Sequence, residues 1–145
     1  MSRNPASERL RRLLAQRILI LDGATGTMFQ RERLGEDDYR GERFAAHSRP
    51  LQGDPDVLSL TQPELVEKVH RAYLEAGADV LTTNTFTATP ISQSDFGLEE
   101  FVYEMNRASA EIARRAASSY EDRFVAGSLG PTNVTLSISP KVDDP

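Results

Sequence analysis

The stretch ILILDG at residues 18–23 decides the fold class of this chain. Four consecutive apolar residues are followed at once by the turn-forming pair Asp22 and Gly23. A short apolar run without polar alternation is typical of a strand that is buried on both faces, as the strands of parallel sheets are. Residues 18–21 are therefore predicted to form the first strand of a parallel sheet.

The sequence on either side of this run predicts helices and one long insertion. Residues 7–16 place leucines on one face and arginines on the other, so we expect an amphipathic helix with Ser7 as its N-cap. Residues 24–55 are polar and contain glycine, which indicates an insertion with a short helix around residues 27–33. Residues 57–60 fit either a strand or an extended approach to the next helix.

A long helix is expected to follow this insertion. Thr61 and Glu64 stand three residues apart, as in a capping box, and Pro63 between them suits a first helical turn. Apolar residues then recur at helical spacing as far as Gly77, which we expect to end the helix in the left-handed conformation.

The remaining pattern predicts the topology. Strands are expected over residues 78–86 and 123–127, with a helix over residues 101–116 between them. Strands that alternate with helices form parallel sheets through right-handed crossovers, either in a (β/α)8 barrel or in an open doubly wound sheet. Gly23 and Gly26 lack the third glycine of a dinucleotide-binding turn, so a dinucleotide site is disfavoured.

Composition and charge exclude several classes of function. The 145 residues carry a net charge of −5 with scattered basic residues, so we do not expect nucleic acid as a partner. The longest apolar run is far shorter than the roughly 20 residues that cross a bilayer, so we expect no membrane partner and a cytoplasmic protein. The absence of cysteine excludes disulfides, thiol nucleophiles and cysteine-built zinc sites within these residues.

Neither histidine is predicted to be functional. His70 stands beside Lys68 and Arg71 and is expected on the solvated face of its helix, and His47 receives no role. Phe86 and Phe96 are expected to pack in the core. No acid–base pair or nucleophile–base pair emerges from the spacing, so the sequence predicts no catalytic residue and no metal ligand in this chain.

Polar residues follow each predicted strand, and in parallel α/β proteins this end of the sheet holds the site. Asp22 offers a carboxylate for an ammonium group, Gly23 lets a ligand approach backbone N–H groups closely, and Asn84 can orient an amino or carboxylate group. The same residues could instead form a turn or satisfy loop backbone groups, since Asp-Gly is a common turn former. The residues alone therefore indicate a polar pocket of unspecified ligand.

Several motifs together resemble a known family. They are ILILDGATGTM at residues 18–28, RGERF at 40–44, TNTF at 83–86, GPTN at 130–133 and SISP at 137–140. In this order they resemble the homocysteine S-methyltransferase family. The RGERF and GPTN segments resemble its cobalamin-dependent methionine synthase branch in particular.

The resemblance implies a fold, a substrate and cofactors. The expected fold is α/β, the N-terminal portion, with about three βα units, of a (β/α)8 TIM barrel. Asp22 matches the family's acidic residue that binds the amino group of homocysteine, beside the backbone of Gly23 and Ala24, and Asn84 is expected to line the pocket. In the complete domain, zinc would hold the homocysteine sulfur as a thiolate, and methylcobalamin would be the methyl donor of the complete enzyme.

The departures from the family pattern imply a partial domain. The three cysteines that bind zinc in the family, and a later pocket glutamate, are absent. Residues 1–145 are therefore expected to be a homocysteine-binding domain truncated before its zinc-ligand half, and inactive alone. The expected partners are homocysteine, the remainder of the barrel, and the folate and cobalamin modules. The alternatives are a non-catalytic amino-acid-binding module and one half of a split methyltransferase.

Overall fold

The computed structural model describes residues 5–132, which form helices around a small parallel sheet. The element bounds, in chain order, are α1 (Pro5–Leu14), α2 (Thr25–Arg31), α3 (Glu36–Arg40), α4 (Leu58–Thr61), α5 (Pro63–Glu75), β1 (Val80–Thr82), α6 (Pro90–Gln93), a 3-10 helix (Glu99–Phe101), α7 (Val102–Ala117) and β2 (Phe124–Ala126). None of the helices in this part of the chain is both long enough and apolar enough to span a bilayer.

The sheet confirms the predicted parallel α/β class. Strands β1 and β2 run parallel, with Val80 opposite Phe124, and helix α7 lies in the crossover between them. Leu21 forms a single parallel bridge to Val80 on the other side of β1. The order along the sheet is therefore residue 21, β1 and β2, as expected for successive βα units.

The prediction of a first strand over residues 18–21 is wrong in part, because these residues form one bridge and no strand. The prediction that they are buried on both faces is also wrong, because Ile18 is 87% exposed and Ile20 and Leu21 are each 56% exposed. Within residues 5–132, the one strand that this segment pairs with is β1, through the Ile20 carbonyl and the Leu21 bridge. Side chains supply its other bonds: Arg17 donates to the Ile18 carbonyl, and the Ile20 N–H donates to Asp79. A segment without a second neighbouring strand lacks a second ladder of backbone hydrogen bonds.

Two predicted helix caps are wrong. Helix α1 begins at Pro5, so Ser7 lies inside it and is not its N-cap. Helix α5 begins at Pro63 without a side-chain cap, because the hydroxyl of Thr61 donates instead to the carbonyl of Val57, 3.4 Å away.

Residues around the insertion are more helical than predicted. Residues 57–60 were expected to be a strand or extended, whereas helix α4 covers most of them. The expected helix at 27–33 is α2, shifted toward the N-terminus by two residues. The end of α5 is as predicted: Gly77 has φ of +100°, and its N–H donates to the carbonyl of Leu74.

The core lies between the sheet and helices α5 and α7. Leu81 of β1 packs with Leu74 and Ala116, and a second cluster joins α5 and α7 through Val66, Val69 and Ile112. The insertion adds a further layer through Phe44, Leu51 and Val57, which pack against Leu98 and Met105. The insertion is therefore a part of the core and not a surface loop.

His70 corrects another prediction, since it is fully buried and not on a solvated face. Neither ring nitrogen has a hydrogen-bond partner among the described residues. Burial lowers the pKa of the imidazole, while the nearby charges of Asp22 and Glu67 raise it by less. A ring in this setting behaves as a neutral core residue at physiological pH.

The RGERF motif at residues 40–44 holds the insertion in place. The guanidinium of Arg40 donates to Glu36 at 2.6 Å and to the carbonyls of His47 and Arg49. Arg43 forms two hydrogen bonds to Glu104 of α7, at 2.6 and 2.7 Å. The motif is thus structural, because its cations tie the insertion to itself and to α7.

Candidate functional site

A cleft of about 440 Å³ opens at the carboxyl ends of β1 and β2, where the sequence placed the site. Residues from both strand ends and from the start of the insertion line it. They are Gly23, Ala24, Thr25, Gly26, Pro55, Asp56, Thr82, Thr83, Asn84, Thr85, Phe86 and Ser128. At Gly23 and Gly26 an added Cβ would meet no atom within 4 Å, so this wall leaves open space beside the backbone.

Asn84 connects three parts of the structure at the floor of the cleft. Its side-chain amide donates to the carbonyl of Pro55 at 2.7 Å and to the hydroxyl of Ser59 at 3.3 Å. Its backbone N–H donates to the hydroxyl of Ser109 on α7 at 2.6 Å. Asn84 is therefore buried and oriented, and it places the Pro55 turn against the end of β1.

Asp22 lies next to the cleft rather than among its lining residues. Its carboxylate accepts hydrogen bonds from the backbone N–H and the hydroxyl of Thr82, at 2.9 and 2.8 Å. The residue is buried, and its own N–H donates to the carbonyl of Val80. The structure therefore brings Gly23, Ala24 and Asn84 together in the cleft and places Asp22 at its border, bonded to β1.

A closed ring of hydrogen bonds joins the two strand ends. The N–H of Ser128 donates to the hydroxyl of Thr83 at 2.9 Å, and the hydroxyl of Thr85 donates to the carbonyl of Ser128 at 2.9 Å. The two threonine oxygens are 2.7 Å apart. Because the Thr85 proton is used toward Ser128, Thr83 donates to Thr85. This ring fixes the width of the cleft floor.

Asp56 was not singled out from the sequence, in which it directly follows the polar insertion at residues 24–55. It is fully buried, and one carboxylate oxygen, Oδ2, accepts from the N–H and the hydroxyl of Thr87 at 2.7 and 2.6 Å. The other oxygen, Oδ1, has no hydrogen-bond partner among the described residues. Burial raises the pKa of Asp56, and the bonds from Thr87 and the backbone at Phe86 oppose that rise.

Asp54 is a second buried acid behind the cleft. Its Oδ1 accepts from the side-chain amide of Gln93 at 3.1 Å and from the N–H of Asp56 at 3.2 Å. Burial raises its pKa to about 6; the bond from Gln93 lowers it, and the charge of Asp56 adds to the rise. The sequence feature that could have identified both acids is their spacing. Asp54 and Asp56 stand two residues apart, and the apolar residues Val57 and Leu58 follow directly.

Phe86 forms one wall of the cleft and corrects the prediction that it packs in the core, because it is 55% exposed. Its carbonyl accepts from the N–H of Gly130 at 3.0 Å. A Cβ at Gly130 would collide with this carbonyl oxygen and with the Phe86 ring. The close approach therefore requires glycine at 130. Asn133 and residues 137–140, which the sequence also singled out, lie outside the described residues.

The described residues do not fit a zinc ion. Among residues 5–132, no three histidine, aspartate or glutamate side chains are grouped so that they could hold a metal. The sequence contains no cysteine that could supply thiolates.

Comparison with known proteins shows the family of this chain. The homocysteine S-methyltransferase family profile matches residues 19–145. The chain is also similar to the crystal structures of the homocysteine methyltransferase MmuM from Escherichia coli. The metallated form aligns with 30% identity and a TM-score of 0.63, and the oxidized form with 31% identity and a TM-score of 0.62. Each alignment covers 85% of this chain and 41% of MmuM, so the chain spans less than half the length of these relatives.

Proposed function

Since this chain belongs to the homocysteine S-methyltransferase family, we propose that its cleft binds the amino-acid part of homocysteine. One observation carries the proposal. The motifs at residues 18–28 and 83–86 are about 60 residues apart in sequence, yet both line the same cleft at the carboxyl end of the sheet. A cleft lined by hydroxyl, amide and carboxylate groups suits a small, strongly polar ligand.

Within this proposal, Gly23 and Ala24 supply backbone contacts, Asn84 lines the pocket, and Asp22 accepts the ammonium group. The carboxylate of Asp22 is held by Thr82, which fixes its direction. Each carboxylate oxygen has a second lone pair, so a further donor can still bind.

We also propose that residues 1–145 are part of a larger (β/α)8 homocysteine-binding domain of the methionine synthase type. The coverage of 41% of MmuM and the RGERF motif support this proposal. In the whole enzyme, the homocysteine sulfur would form a bond to the methyl carbon as the bond from that carbon to its donor breaks, and the donor would keep the electron pair. Methylcobalamin is the donor that the resemblance implies.

Zinc belongs to the proposal only for the larger domain. Since the described residues do not fit a metal, we assign no step at this cleft to zinc. The remainder of the barrel and the folate and cobalamin modules are proposed as partners on the same ground. The chain alone is proposed to bind the substrate without transferring a methyl group.

The test is a titration of the ¹⁵N-labelled chain with L-homocysteine, followed by NMR. We expect the backbone amide signals of Gly23, Ala24 and Asn84 to shift, and we expect Asp22→Ala to weaken binding about tenfold because a charge-assisted hydrogen bond is lost. Asp37→Ala on the exposed surface of α3 is the matched control.

Two outcomes would contradict this proposal. If no signal shifts, or if the shifted signals lie away from the cleft, the cleft does not bind homocysteine. If the chain forms methionine when homocysteine, methylcobalamin and zinc are supplied together, the proposal that it is inactive alone is wrong.

A further inference from the structure

Asp56 is the sole ionisable residue among those that line the cleft in the described part of the chain. The other lining residues are glycine, alanine, proline, phenylalanine, threonine, serine and asparagine. No lysine, arginine or histidine faces the ligand space, so the one charge that the cleft wall carries is negative. A wall of this kind favours a cationic group over an anionic one.

Only one of the two carboxylate oxygens of Asp56 has hydrogen-bond partners among the described residues. Thr87 donates twice to Oδ2, at 2.7 and 2.6 Å, which fixes the orientation of the group. Oδ1 has no hydrogen-bond partner, although the residue is fully buried from solvent. A buried anionic oxygen without a donor is costly, and a bound cationic donor removes that cost.

Other features could supply a donor to Asp56 but do not. Its neighbour Asp54 is an acceptor and does not line the cleft. The backbone at Phe86 lies near enough to lower the pKa of Asp56, but Oδ1 has no partner that meets hydrogen-bond geometry. Asn84 uses its side-chain amide on Pro55 and Ser59. Among residues 5–132, therefore, Oδ1 of Asp56 is left with the capacity to accept a donor from a bound ligand.

We propose that Oδ1 of Asp56 accepts a hydrogen bond from the ammonium group of the substrate, which makes Asp56 a specificity-determining residue of the cleft. This inference rests on the proposed function, because it takes the ligand to be an amino acid. An ammonium group has three N–H donors, so a donor remains for Asp56 when another is given to Asp22. The role of Asp56 is to select ligands that carry the amino group.

A double comparison of variants and ligands tests this role. The ligands are L-homocysteine and 4-mercaptobutanoate, which is the same thiol acid without its amino group. The variants are Asp56→Asn and the matched control Asp54→Asn, which changes an equally buried acid two residues away that does not line the cleft. Affinities are measured by NMR titration at pH 7.5 under reducing conditions.

We expect Asp56→Asn to weaken homocysteine binding about tenfold, the usual scale of one charge-assisted hydrogen bond, and to leave 4-mercaptobutanoate within about twofold. Asp54→Asn should leave the preference for homocysteine unchanged. If Asp56→Asn weakens both ligands equally, or neither, the inference is overturned. Asp22→Asn is measured with the same two ligands. If it alone abolishes the preference for homocysteine over 4-mercaptobutanoate, only Asp22 binds the amino group and the inference is equally overturned.

A second measurement needs no variant, in case Asp56→Asn does not fold. The ¹³C signal of the Asp56 carboxyl group is followed through a pH titration of the wild-type chain. Homocysteine should lower the pKa of this group, because a bound ammonium favours the ionised form, whereas 4-mercaptobutanoate should not. An unchanged pKa with bound homocysteine would refute the inference. If wild type binds neither ligand, the proposed function itself fails, which is a distinct result.

Discussion

Two buried aspartates stand at opposite ends of the sheet, and their surroundings differ in one respect. Asp79 precedes β1, and its carboxylate accepts two hydrogen bonds from Arg17 at 2.8 Å and one from the N–H of Ile20 at 2.9 Å. A guanidinium nitrogen of Arg123 lies 3.3 Å from Oδ1 of the same carboxylate. Asp56 lies beyond the other end of β1. Among residues 5–132, no cation pairs with its carboxylate, and its Oδ1 has no hydrogen-bond partner.

The difference separates a structural carboxylate from one available to a ligand. Arg17 is the main reason that the pKa of Asp79 falls to about 2, and burial opposes this only in part. At Asp56 and Asp54, burial dominates and raises the pKa of both. A group whose charge is already compensated has nothing to offer a substrate, whereas an uncompensated one in a cleft does.

The largest expected effect concerns Asp54, behind the cleft. Its pKa of about 6 in the folded chain exceeds the usual value of 3.8, so the folded state binds more protons between these pH values. The contribution of Asp54 to the free energy of unfolding should therefore fall by about 2 kcal/mol as the pH rises from 4 to 7. Urea denaturation at a series of pH values measures this change.

Asp54→Asn is the control for that measurement, because the amide can keep the bonds from Gln93 and Asp56 but does not ionise. The stability of Asp54→Asn relative to wild type should rise over the same pH range. If the difference in free energy of unfolding between Asp54→Asn and wild type stays constant from pH 4 to 7, Asp54 does not have a raised pKa. The contrast drawn with Asp79 would then be wrong.

A smaller effect of opposite sign is expected at Asp79. Asp79→Asn should lower the free energy of unfolding at pH 7 by about 1 to 2 kcal/mol, a range discounted because Arg17 is nearly half exposed to water. Since the pKa of Asp79 is depressed, this stabilisation is present above pH 4 and is lost as the pH falls toward about 2. Thermal unfolding of variant and wild type at both pH values measures it.

Asp122→Asn provides the matched control at the same end of the sheet. Asp122 is 42% exposed and 3.5 Å from Arg9, so its replacement should change stability by less than about 0.5 kcal/mol. Equal effects at Asp79 and Asp122 would contradict the view that burial makes the Asp79 pair structural.

The smallest effect sharpens the description of the cleft wall. Gly130→Ala should destabilise the chain by about 1 kcal/mol, because the new methyl group collides with the carbonyl and ring of Phe86 and the exposed loop can move to relieve it. Gly127→Ala, where an added Cβ meets no atom within 4 Å, should be nearly neutral. Chemical denaturation compares the two, and NMR signals of Ser128 should shift only in Gly130→Ala.

The sequence predicted the elements that depend on local chemistry. The parallel order of strands followed from apolar runs that alternate with helical patterns, and Gly77 was identified as the C-terminal cap of α5 from its position alone. The cleft at the carboxyl end was predicted by the same rule, and the structure places Gly23, Ala24 and Asn84 there. Their contacts with a substrate remain predictions.

Other predictions were wrong because the spacing of residues in the sequence does not show how deeply a side chain is buried. His70 has charged neighbours in sequence, yet it faces the core and is fully buried. Thr61 has the spacing of a helix cap, but its hydroxyl donates to the carbonyl of Val57 in the preceding helical turn. Residues 18–21 have the composition of a buried strand, but among the described residues they form a single bridge, and the side chains of Ile18, Ile20 and Leu21 are exposed.

By itself, the sequence determined the α/β class, the polar ends of the strands and the family. These depend on residue order, which fixes periodicity, turn chemistry and motifs. Only the tertiary structure decided which acid lines the cleft and which is neutralised. Asp56 and Asp79 look alike in sequence. They differ because the fold brings Arg17 to Asp79, 62 residues away, whereas no cation of the described part of the chain pairs with Asp56.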